Sequence, residues 1–309
     1  MRKYKTARIR TPAVLIPYTG PILEPGAQDV FLYLRPETNG VLVESLLFRV
    51  IKQDDYAGKC RVVYLANIPG EFIIKNRIIE EHYAVKLRFA RRGKTEFTRS
   101  MREKFEQFFL VPFREARIIG AFEAVRALGI SDEDLFKLWV PPHHYAVISG
   151  QTVKKYNDYY IVNYDIPAIL HKNSRKTDLA VMIFRSFLSR TEFHYMVEEM
   201  RRLLVAEQVV GADRPLARTF HYSNGPFEQI LDGIGYLYNE HAQHLPIQSL
   251  SFCAYLLKNG IDKKEILAAI RKPIMRFRND RGGIIEENLF YYTADETYAG
   301  ALAKYVSRL

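Results

Sequence analysis

Cysteine is nearly absent from this chain: Cys60 and Cys253 are the two among 309 residues. One falls in a strand-like run and the other in a helix-like run, which excludes a disulfide framework and a cysteine-held metal and fits a reducing compartment. Long apolar segments are missing too. No run of 18 apolar residues occurs, and the basic opening Met-Arg-Lys-Tyr-Lys is not followed by an apolar stretch, so neither a membrane span nor a secretory leader is expected. The expected setting is cytoplasmic, away from membranes. Acidic residues are in short supply, 35 Asp and Glu against 45 Lys and Arg. The 48% hydrophobic and 26% charged content is nonetheless that of a globular protein, which excludes general disorder, and 20 Tyr with 19 Phe make it rich in aromatics.

The basic surplus is clustered. Between Lys86 and Arg117 there are ten basic and four acidic residues, and between Asp262 and Arg281 seven and three. Two stretches with a basic surplus point to an anionic partner, nucleic acid among the candidates.

Length predicts two domains, placed here at 1–210 and 211–309 with Gly211-Ala212-Asp213-Arg214-Pro215 as the linker. The first is expected to be α/β, with mixed α+β as the alternative. Tyr4–Arg10, Ala13–Tyr18, Val30–Leu34, Val62–Leu65, Tyr159–Val162 and Leu179–Ile183 read as strands. Pro69-Gly70 opens a helical pattern through Ile79. Tyr83, Val85, Leu87 and Phe89 alternate with Ala84, Lys86, Arg88 and Ala90, which predicts a strand with one basic face. Amphipathic helices follow over Thr95–Phe109 and, broken at Gly129, over Ala116–Leu138. Ser131 with Asp134, and Ser189 with Glu192, have the spacing of capping boxes. This strand–helix alternation favours parallel pairing.

The second domain is expected to be mainly helical, with helices at about Pro226–His241, Ile247–Lys258 and Asp262–Arg271. A hairpin, Ile274–Arg278 with Ile284–Tyr292, follows around Asn279-Asp280-Arg281-Gly282-Gly283, and then a last helix over Asp295–Val306. Three helices and a hairpin in this order resemble the winged helix–turn–helix arrangement. That resemblance implies that Lys263 and Lys264 approach nucleic acid and that Arg276, Arg278 and Arg281 form a basic wing. A helical hairpin packed on a β-hairpin, with the same cations as solvated charges, remains the alternative.

A second candidate is an anion-binding loop made by Arg88, Arg91, Arg92, Lys94 and Thr95, between the predicted strand and helix, where helix amides favour negative charge. Gly93-Lys94-Thr95 matches the end of a P-loop, but the first glycine of that motif would fall at Arg88, so nucleotide hydrolysis is not expected. Arg99 with Glu103 and Arg102 with Glu106 have pairing distance on one helix. His143-His144 and His241 with His244 lack a third ligand at metal spacing, so no metal or other cofactor is assigned. Tyr156, Tyr159, Tyr160 and Tyr164 could stack bases or pack. No general acid/base pair can be nominated. Three function classes stay open: a binder of an anionic polymer, an enzyme acting on a phosphorylated or carboxylated small molecule, and a scaffold or regulatory interaction module.

Overall fold

Leu179–Ile183, the strongest apolar run, lies in a strand buried at every position, β8 (Leu179–Ser186). It sits mid-sheet between β3 (Cys60–Ile68) and β2 (Gln28–Leu34), with β1 (Ala13–Ile16) and β9 (Phe220–Tyr222) at the edges. Every pairing in this five-stranded sheet is antiparallel. The computed structural model describes residues 9–22, 26–172, 174–211, 219–279 and 281–309; the expected strand before Ile9, the linker residues 212–215 and Asp280 lie outside the described residues.

Alternation along β2 shows why both faces of the sheet are covered. Val30, Leu32 and Leu34 join a core with helices α1 (Val41–Ile51) and α9 (Arg190–Ala206). On the opposite face, Phe31 and Tyr33 lie on the side of β2 that packs with α10 (Pro226–Tyr236) and α11 (Ser251–Lys258). The first compact unit is thus a helix–sheet–helix sandwich made from residues 1–78 and 173–260. Short helices α2 (Gly70–Lys75) and α3 (Ile78–His82) follow β3 in the chain.

The second unit comprises residues 79–172 and 261–309. Its four-stranded sheet runs β4 (Arg117–Gly120), β7 (Tyr159–Val162), β6 (Gln151–Tyr156), β5 (Tyr145–Ile148). The β4–β7 pair is the one parallel pairing among the described residues. Around it lie α4 (Ala84–Arg92), α5 (Arg99–Phe109), α6 (Ala121–Leu128), α7 (Asp132–Lys137) and α8 (Ile166–His171). From the C-terminal stretch come α12 (Lys263–Arg271), the hairpin β10 (Ile274–Arg278) and β11 (Ile284–Asn288), α13 (Leu289–Tyr292) and α14 (Tyr298–Val306). Among the described residues, no helix is long and apolar enough to cross a membrane.

Several expectations are corrected. Tyr83–Ala90 is helical: Leu87 and Ala90 enter one apolar cluster while Phe89 enters another. Residues two apart are separated by about 200° on a helix, so one that buries two opposite sides imitates strand alternation. Arg117–Gly120 is a strand where a helix was expected, and α14 begins only after Thr297, whose hydroxyl caps it. The expected helix over Pro226–His241 stops at Tyr236 because residues 237–245 turn back through a Tyr238–His244 bridge. The two capping boxes do form. Where sequence order suggested a boundary at 210/211, contacts cross sequence order twice and assign α10 and α11 to one unit, α12 and the hairpin to the other.

Candidate polyanion-binding surface

The turn Asn279–Gly283 closes β10 on β11 because the Asn279 carboxamide oxygen accepts the amides of Arg281 and Gly283. Register then places Arg276 across from Glu286 and Arg278 across from Ile284. Alternation sends Phe277 inward, fully buried and 4.4 Å from the Tyr292 ring, while Arg276 and Arg278 point to solvent. Two residues along a strand separate the two guanidinium groups by about 7 Å at the backbone.

Glu286 would be the natural partner for Arg276, yet it is bonded elsewhere. The hydroxyl of Thr98, the N-cap of α5, donates to its carboxylate. Lys104, one turn into α5, donates to the Glu286 carbonyl at 2.6 Å and pairs with Glu287 at 3.0 Å. Both acids of β11 therefore anchor the hairpin to α5, and Arg276 and Arg278 keep no ion pair among the described residues.

The other edge of the hairpin is closed as well. The Arg278 amide donates to the Ser307 carbonyl and the Leu309 amide to the Arg276 carbonyl, both at 2.9 Å, so residues 307–309 bridge to the outer edge of β10. Arg308 and the Tyr305 hydroxyl both bond Glu265 in the first turn of α12. That contact brings the start of α12 beside the same segment. Asp262 caps α12 by accepting the Lys264 amide at 2.9 Å. Lys263 and Lys264 occupy the positive end of that helix, where a cation costs on the order of 0.3–1 kcal/mol. They too are exposed and without an ion pair among the described residues, as is Arg281.

The other expected anion site is differently used. Lys94 and Thr95 lie in a single 3-10 turn, Gly93–Glu96, and the α-helix expected from Thr95 starts only at Arg99. The Lys94 ammonium donates to the carbonyls of Arg114 and Ala116 at 2.8 and 3.0 Å and lies over the Phe113 ring. Thr95 bonds the Arg92 carbonyl, and Glu96 accepts Arg88 at 2.7 Å and Arg92 at 3.1 Å. Arg91 is exposed beside Phe122. The chain is so tight here that a Cβ on Gly120 would stand 2.1 Å from the Ala90 carbonyl oxygen.

Elsewhere, His244 bonds the Gly233 carbonyl at 3.0 Å, and His143 and His144 meet edge to face in a short turn. Tyr160 is in the core, Tyr159 lies under Arg117 and Tyr164 under Lys154. Burial lowers the Lys154 ammonium to about 8 against the pull of Asp165, and that ammonium donates to the Leu138 carbonyl at 2.6 Å.

One constellation in the first unit was missed by sequence. His221 on β9 lies 3.4 Å from Asp232 and 4.0 Å from Glu228, both on α10, and its ring stacks on Tyr33 at 4.4 Å. Burial raises the Glu228 carboxyl above its ordinary value, with His221 opposing and Asp232 adding to the shift. Glu228 and Asp232 share a helix face at a spacing of four, which is legible in sequence; that β9 delivers His221 to them is not. Comparison with family models, curated proteins and solved structures finds no match for this chain.

Proposed function

We propose that this protein binds an anionic polymer, nucleic acid foremost, through Lys263, Lys264, Arg276, Arg278 and Arg281, in a cytoplasmic setting. One observation carries the reading: five cations are exposed on α12 and the hairpin, while the described acids of those elements, Glu265, Glu286 and Glu287, are engaged by Arg308, Thr98 and Lys104, and Asp262 caps α12. Cations held apart from available acids cost stability and attract phosphate. Lysine at a helix start and arginine on an exposed strand contact phosphates without reading bases, so modest sequence preference is expected. The winged-helix reading is narrowed by this geometry, because the hairpin is closed at both edges by other parts of its own unit. The residue assignment implied by that resemblance is kept; insertion of a wing into a groove is not.

Fluorescence anisotropy with labelled oligonucleotides over a salt series tests the proposal. Five phosphate contacts give a log–log slope of roughly −4.5 on duplex DNA or −3.5 on a single strand. Absence of binding at low salt would remove the reading.

A second reading, an enzyme acting on a phosphorylated or carboxylated small molecule, is supported by His221, Glu228 and Asp232. An imidazole beside two carboxylates, one of them raised above its ordinary pKa by burial, is an arrangement suited to proton transfer. Turnover of p-nitrophenyl phosphate or acetate, lost on His221→Gln, would favour it; no turnover by the wild type would remove its support.

A further inference from the structure

From the closed hairpin and the mixed face it presents, we infer that the nucleic acid bound at this surface is single-stranded and lies flat across the hairpin and the 307–309 segment bridged to it; this rests on the polyanion reading above. The first argument is shape. A two-stranded ribbon enters the major groove, which is about 12 Å wide. Here residues 307–309 bridge to the β10 edge, and a segment bridged in this way lies about 4.8 Å outside it. On the β11 edge the Lys104 ammonium occupies the Glu286 carbonyl, and the body of α5 stands behind it. Neither edge can be pushed into a groove.

The second argument is the chemistry of the exposed face. Pairing places Leu309 beside Arg276 and Ile284 beside Arg278, all on the same side of the sheet. Leu309 is 59% exposed and Ile284 53% exposed. Two apolar side chains and two planar cations, with Glu286 held by Thr98 opposite Arg276, make a poor surface for a duplex, whose outside offers phosphates and whose bases are stacked inward. The same surface suits unstacked bases, which pack on guanidinium planes and aliphatic groups while the backbone runs past the charges.

The test compares one labelled 20-nucleotide single strand, its duplex and inorganic polyphosphate at a fixed moderate salt concentration, using the full chain. Tighter binding of the single strand than of the duplex, by about tenfold, is expected, the scale of one or two base-stacking contacts. Ile284→Ser should reduce single-strand affinity by about fivefold, leaving duplex affinity and the salt slope unchanged, since it removes an apolar contact and no charge. Its melting temperature should match the wild type because the side chain is exposed. Duplex binding as tight as single-strand binding would overturn the inference and leave the polyanion reading standing, as would polyphosphate binding equal to the single strand. No binding of any of the three polymers would overturn both.

Discussion

Two strand arginines in this chain face an acid across a ladder, and their fates are opposite. In the first unit Asp29 lies across from Arg185, and in the second Glu286 lies across from Arg276. Asp29 and Arg185 are both buried and joined by two bonds, 2.8 and 3.0 Å long. The remaining capacity is used by neighbours: Tyr18 and Ser251 donate to Asp29, and Arg185 reaches the Gly20 carbonyl at 2.6 Å. Burial, helped by the Asp29 charge, pushes the Tyr18 hydroxyl well above its ordinary value, so it stays a donor. In the second unit, α5 takes Glu286, and Arg276 stays in water. Net charge does not separate the units, because each carries a surplus of five basic residues. What separates them is whether a charge is spent inside the fold or left for a partner.

The largest expected effect comes from breaking the buried pair. Arg185→Leu should leave the buried Asp29 without its guanidinium partner and cost about 3–5 kcal/mol in denaturant unfolding. Asp29→Leu combined with Arg185→Met should recover much of that loss. A single variant within 1 kcal/mol of wild type, on the order of an exposed pair, would mean that the interior tolerates the unpaired acid and that the contrast is false.

Lys154 sharpens the same contrast within the second unit, since it is a buried lysine against the exposed Lys263 and Lys264. Its ammonium titrates at about 8 in the folded chain and at 10.5 ordinarily. The folded state thus disfavours the charged form; the gain is complete above 10.5 and is lost as pH falls through 8. Urea midpoints measured across that window should rise with pH in the wild type relative to Lys154→Met. Parallel profiles would contradict the burial argument.

A smaller effect is expected at Lys94, which sequence placed in an anion site. Lys94→Met removes bonds to two carbonyls and should cost about 1–2 kcal/mol. It should leave affinity for polyanions unchanged. Reduced affinity without reduced stability would restore the loop as a binding site. The smallest effect on folding is expected from Arg276→Ala with Arg278→Ala, within about 0.5 kcal/mol of wild type, because exposed side chains without ion pairs contribute little to stability.

These contrasts also mark what was legible beforehand. Local signals carried well: the Asn279–Gly283 turn, the Ser131 and Ser189 caps, and the apolar strands around Val30, Val62 and Leu179 all form where residue chemistry placed them. Period alone misled at Tyr83–Ala90, since a helix buried on two sides and a half-buried strand share a spacing of two. Everything that depends on register or on distant segments was hidden. Asp29 and Arg185 are 156 residues apart, and nothing in either neighbourhood announces the other. The capture of Glu286 by Thr98, and so the exposure of Arg276, is set by tertiary packing across 188 residues.

The central claim is that the hairpin and α12 cations are held for an anionic polymer. It is tested most directly by the salt dependence of single-strand affinity for the wild type and for Arg276→Ala with Arg278→Ala. A wild-type log–log slope of roughly −3.5, flattened by about 1.4 in the double variant with an unchanged melting temperature, is expected. A slope that the double variant leaves untouched, or no binding at low salt, would contradict it.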